Sequence, residues 1–244
     1  LYFEIFEQGD TIMFVIRGTQ PQENDDLNSD LQMLRGEVPD QLRVLDYLYN
    51  NDSTIKNLIQ DKRVIFTGNS LGKSLADAMA VLHDKESIGN NGYGIQPWIQ
   101  KAATELGYGF ISDNPDTYKD RIINYITDTD IVGNAGTNLG QNYYVPGPDN
   151  FMGFLSEHIG KFCPLVDLIY HSYSGHLPDN FNDYDLNNAN NDPNITTIPS
   201  ETASYFNRLG ERIRTALMKT KSIDGISIKF EDDSNYYFKL SAEK

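Results

Sequence analysis

At 244 residues, with 39% hydrophobic and 11% aromatic residues, the chain can bury a substantial core and is not disordered by composition. A formal charge of −15 argues against a nucleic-acid binder, which needs a basic face for phosphates. No apolar run approaches the roughly 20 residues of a membrane-spanning helix. One cysteine, Cys163, excludes an intramolecular disulfide, and one Cys with four scattered His gives no zinc-type cluster. That usage fits the cytosol and equally a secreted bacterial protein, so localisation stays open between the two. The chain opens at Leu1 inside an apolar run, without Met, which leaves room for a removed signal peptide or N-terminal element.

LYFEIFEQGDTIMFVI alternates apolar and polar residues around a Glu7-Gln8-Gly9-Asp10 turn, the pattern of a β-hairpin feeding a buried strand. Leu42, Leu45, Leu48, Tyr49, Ile55, Leu58 and Ile59 recur at helical spacing over residues 40–60. Residues 63–67 read as a short strand. Leu71, Leu75, Met79 and Leu82 then fall on one face of an amphipathic helix. The Gly-rich stretch 86–118 is ambiguous, with a short helix over 98–106. Residues 121–127 (RIINYIT) form another strand, and 133–150 reads as a loop. Asp179 to Asn194 is an Asn/Asp-rich run expected as a solvated surface loop. A helix over 201–220 and a hairpin over 226–240 follow. Strand–helix alternation predicts an α/β fold with a mostly parallel sheet flanked by helices. The expected organisation is residues 1–195 as that domain and 196–244 as a C-terminal helix and hairpin appendage.

Residues 65–77, IFTGNSLGKSLAD, carry two motifs at once. Gly68-Asn69-Ser70-Leu71-Gly72 fits G-x-S-x-G, which presents a serine nucleophile on a tight strand-to-helix turn. Its small residues let the backbone pass close to its neighbours, and the N–H after the serine points at the oxyanion. Context alone leaves an idle serine on a Gly-bounded turn as an equal alternative. Gly72-Lys73-Ser74 fits the end of a phosphate-binding P-loop. That motif needs four residues between its first Gly and Gly-Lys, whereas Gly68 and Gly72 are separated by three. The lysine then reads more simply as a solvated residue of the helix's first turn.

The strand IMFVIRGTQ ends in Arg17-Gly18-Thr19. With the serine motif, this resembles the class 3 lipases, α/β-hydrolases whose core strand ends in R-G-T or R-G-S. Asp30-Leu31-Gln32-Met33, Gly36 and Pro39-Asp40-Gln41 resemble a bacterial branch of that family, and the likeness covers about residues 1 to 185. It implies that Thr19 supplies its N–H and hydroxyl to an oxyanion hole beside Leu71. The chain departs from the family's G-H-S-L-G-G at Asn69 and Lys73.

Serine hydrolysis needs a His base and a carboxylate to orient it, in the chain order Ser, Asp, His on this fold. Asp128 and Asp130 follow the 121–127 strand. Asp130 fits the family's placement before an apolar pair, Ile131-Val132; Asp128 is the runner-up for the acid, its non-catalytic alternative being a turn-forming residue. Among the histidines, His83 lies far along the nucleophile's own helix and His158 in a helical stretch. His171 and His176 both follow an apolar stretch, and His176, in GHLPDNF, better resembles the bacterial branch. Asp183, Asp185 and Asn187 suggest a calcium loop, but the Gly and Glu such a loop requires are missing.

The expectation is therefore an α/β-hydrolase fold acting as a serine hydrolase on carboxylic esters, by the resemblance acyl glycerols or phospholipids. Ser70 is the nucleophile, His176 the base, Asp130 the orienting acid, and Thr19 with Leu71 the oxyanion hole. No cofactor, metal or nucleic-acid partner is implied; the partners are a small ester or lipid and transient contact with a lipid surface. A lid would come from the loops around 86–118 or 133–155. The alternative is a catalytically silent α/β-hydrolase-like binding module.

Overall fold

A computed structural model describes residues 1–20, 24–147, 181, 184, 186–219, 226–231 and 235–240. Strands β1 (Phe3–Gln8) and β2 (Thr11–Ile16) form the expected antiparallel hairpin. Gly9, at the first position of its two-residue turn, takes φ of 58°, a value that costs glycine nothing. On β2 the side chains alternate: Ile12, Phe14 and Ile16 are buried while the residues between them are half-buried.

Helices α1 (Asn24–Leu34), α2 (Asp40–Asn51) and α3 (Ser53–Ile59) lead to β3 (Arg63–Asn69). The helical stretch 40–60 breaks at Asp52, which is extended and caps α3 by accepting from the N–H groups of Thr54 and Ile55. Then follow α4 (Leu71–His83), β4 (Glu86–Asn90), α5 (Gln96–Glu105), β5 (Ile122–Thr127) and β6 (Gln141–Val145). Beyond them lie α6 (Glu201–Lys219), β7 (Ile226–Glu231) and β8 (Asn235–Leu240), the last two an antiparallel pair of their own.

The main sheet has the order β1-β2-β3-β4-β5-β6, antiparallel only between β1 and β2, so the fold is α/β with a mostly parallel sheet. Strand order follows chain order, so every crossover steps the same way. Right-handed crossovers then stack their helices on one face, where α1, α2 and α4 meet. Phe14, Phe66 and Tyr49 form an aromatic knot there, with ring centroids 5.1 to 5.8 Å apart.

The structure adds to the sequence reading at four places. The stretch 86–118 contains a full strand, β4, between β3 and β5, and 133–150 contains β6. In the run 179–194, Asn188, Asn190, Asn191, Pro193 and Asn194 are exposed, as a surface loop should be, but the segment is also anchored on the sheet. Phe181, Ala189 and Ile195 are buried against Tyr125, Tyr143 and Val145, and the Tyr125 hydroxyl donates to the Leu186 carbonyl at 2.8 Å. Residues 179, 180, 182, 183 and 185 of that run lie outside the described residues. Helix α4 is buried from Leu71 to Leu82 on every side, not on one face.

Helix α6 packs on the segment after β5. Its Ala203 and Phe206 are fully buried, and Asn207 Nδ2 donates to the Asn134 carbonyl at 2.7 Å. Among the described residues no helix is long and apolar enough to cross a membrane.

Candidate active site

Thr19, Ser70 and Asp130 follow the carboxyl ends of β2, β3 and β5, the edge where open parallel sheets bind ligands. Ser70 takes φ of 57° and ψ of −129° between β3 and α4. A β-carbon in that region costs on the order of 1–3 kcal/mol and persists only where surroundings hold it. Here they do: the Ser70 N–H donates to the Asn90 carbonyl at 3.1 Å, and the Ser70 carbonyl accepts from Lys73 and Ser74 N–H at 3.0 and 3.1 Å. Both motif glycines are required by space. A Cβ on Gly68 would lie 2.5 Å from the Gly72 carbonyl carbon, and one on Gly72 only 2.1 Å from the Ile16 carbonyl oxygen. The serine side chain makes no cap to its own helix. Leu71, as the first residue of α4, has no helical acceptor for its N–H.

The chain leaving β2 runs directly beside the serine. A Cβ on Gly18 would lie 3.5 Å from Ser70 Cβ and 2.8 Å from the Asn69 carbonyl oxygen. Thr19 donates its hydroxyl to Asp30 Oδ2 at 2.7 Å. Asp26 holds the next residue, accepting from Gln20 N–H at 2.8 Å. Sequence reading missed the part these α1 carboxylates play in shaping the 18–20 turn.

The two candidate acids face different neighbours. Asp128 donates its N–H to the Val145 carbonyl at 2.9 Å, and burial pushes its carboxyl above the usual range, opposed by a hydrogen bond from Ser200. It belongs with β6 and the start of α6. Asp130 is fully buried, and its two oxygens accept from the N–H groups of Val132 and Gly133, each at 2.9 Å. Its segment packs back toward the turn after β4: a Cβ on Gly133 would lie 3.0 Å from Asn91 Cα and 2.7 Å from Asp130 Oδ2. His176, His171 and His158 lie outside the described residues. His83 sits at the far end of α4, its Nε2 2.9 Å from Asp46 Oδ1, under the ring of Tyr49.

Lys73 is not the solvated residue the sequence suggested. It is fully buried, its amine paired with Asp77, and Ser87 Oγ donates to the same carboxylate oxygen at 2.7 Å. Its stem fills the space left by glycines: a Cβ on Gly92 would meet Lys73 Cγ at 2.6 Å, and one on Gly89 would meet Cδ at 2.9 Å. An amine turned inward onto a carboxylate is not available to a phosphate, which removes the P-loop reading. Asn69 Oδ1 is buried, with no hydrogen-bond partner among the described residues.

A cavity of about 250 Å³ opens beside Ser70, and among the described residues its wall is mostly apolar, from Met33, Leu34, Leu71, Ile131, Val132 and Ala135, with Asp30 and Tyr93 also on it. Gly210 of α6 closes one side of it. Among the described residues no group of three or more His, Cys, Asp or Glu could hold a metal ion. Neither the protein-family models nor the curated proteins compared with this chain contain a match to it.

Proposed function

We propose that this protein is a serine hydrolase of the α/β-hydrolase type, cleaving carboxylic esters with an apolar acyl group through an acyl-enzyme. The observation that carries the reading is the strained backbone of Ser70 between two glycines that admit no side chain. Strain of this kind is retained where it aims a side chain, and here it projects a serine at the ligand-binding edge of a parallel sheet.

In this reading Ser70 Oγ attacks the acyl carbonyl, and the N–H groups of Leu71 and Thr19 stabilise the tetrahedral oxyanion. His176, the base expected from sequence, accepts the serine proton and returns it to the leaving alcohol; Asp130 orients its ring. Water then takes the alcohol's place and releases the acid. The cavity beside Ser70 receives the acyl chain. Its volume exceeds the roughly 150 Å³ of an apolar cavity that takes benzene, so a chain of several carbons fits. The resemblance to class 3 lipases through Arg17-Gly18-Thr19 and the serine motif supports lipid esters as the substrate class.

Steady-state hydrolysis of p-nitrophenyl esters from acetate to palmitate tests this. The wild type turns over the series with a preference beyond acetate, and Ser70→Ala loses on the order of 10⁴-fold or more in kcat. Equal turnover by the two proteins overturns the reading.

A further inference from the structure

Asn91, in the turn after β4, is 1% exposed and takes φ of 52°. Among non-glycine residues Asn tolerates this left-handed backbone best. Three of its contacts reach the end of β5. The Asn91 N–H donates to the Tyr125 carbonyl at 2.9 Å, and its side-chain Oδ1 accepts from the Thr127 N–H at 2.9 Å. Its Nδ2 also lies 3.4 Å from Thr127 Oγ1. Thr127 is the last residue of β5 and is fully buried, so its N–H has no recourse to water if that acceptor is lost.

One residue earlier, the Asn90 carbonyl accepts from the Ser70 N–H. On the far side, Gly133 packs on Asn91 while its N–H holds Asp130 Oδ2. Ser70 and Asp130 come from strands that are not neighbours: β4 lies between β3 and β5. With strands about 4.8 Å apart, the two loops start about 10 Å from each other. Their relative placement therefore runs through the end of β4, where Asn90 bonds to Ser70 and Asn91 bonds to Thr127, the residue from which the second loop departs. The stem of Lys73 against Gly92 supports the same turn from below.

We propose that Asn91 is a positioning residue for hydrolysis at Ser70, fixing the segment that bears Asp130 relative to the nucleophile's turn. This rests on the serine-hydrolase reading. Misplacing a catalytic group by about 1 Å can cost about a hundredfold in rate, and the loss falls on kcat when substrate binding is untouched.

The test compares the wild type with Asn91→Gly, which keeps the backbone freedom and removes the acceptor, and Asn91→Asp, which keeps both. On a p-nitrophenyl ester, N91G loses roughly ten- to a hundredfold in kcat with KM within about twofold. N91D, folded by circular dichroism, regains most of that kcat. An N91G variant with wild-type kcat overturns the proposal, as does a folded N91D whose kcat falls a hundredfold. A wild type that neither turns over esters nor reacts with a fluorophosphonate overturns the hydrolase reading and this inference together; an active wild type confines any failure to Asn91.

Discussion

Lys73 and Asp77, one turn apart on α4, form an ion pair whose side chains are both sealed from solvent. Burial draws the lysine's pKa down and pushes the aspartate's up, against the opposing pull of the pair itself. Desolvation therefore outweighs attraction in both residues. Lys73→Met or Asp77→Leu alone strands a buried charge and should cost about 3–5 kcal/mol in urea unfolding. The double variant removes both charges and should return to within about 1 kcal/mol of the wild type or exceed it. Additive losses would contradict this account.

Asp130 and Asp128 should separate by the effect of their substitution on turnover. Asp130 lies in the segment packed toward Asn91, whereas Asp128 is tied to Val145 and Ser200. Asp130→Asn should lower kcat on the order of 10⁴-fold while leaving KM nearly unchanged. Asp128→Asn should stay within about tenfold of the wild type, because its contacts lead to β6 and Ser200. The reverse order would move the acid to Asp128.

Asp46 makes stability depend on acid at the opposite end of α4. Burial alone would raise its pKa, but hydrogen bonds with His83 and from Tyr108 and Asn50 together hold it below the usual value. A folded pKa below the unfolded one gives stability that is full above about pH 4 and lost as pH falls through the folded value. The stability gap between wild type and Asp46→Asn should therefore shrink on acidification from about pH 6 to about pH 3. Urea midpoints across that range measure it; a constant gap would contradict it.

The elements that carry apolar rhythm were legible in the sequence. Ile12, Phe14 and Ile16 announce β2, and Leu71, Leu75, Met79 and Leu82 announce α4. The serine turn was legible because Gly68, Ser70 and Gly72 answer to a steric demand. Strand β4 was hidden because its buried positions are Ser87 and Gly89, which make room for Lys73 and Asp77 in place of apolar packing. Lys73 itself read as solvated, since an i,i+4 Lys–Asp pair looks the same on a surface as in a core. The buried face of 181–195 was hidden by the polar residues around Phe181, Ala189 and Ile195. Asn91 carried a usable signal: Asn-Asn-Gly marks a turn with positive φ, though not which strand its side chain would bind.

The central claim is that Ser70 is an activated nucleophile, and covalent labelling tests it most directly. A fluorophosphonate reacts with a serine only where a base and an oxyanion hole act on it. Intact-mass measurement should show one adduct on the wild type, mapped by peptide analysis to the segment holding Ser70, and none on Ser70→Ala. A wild-type chain left unlabelled, or labelled equally in the Ser70→Ala variant, would contradict the account.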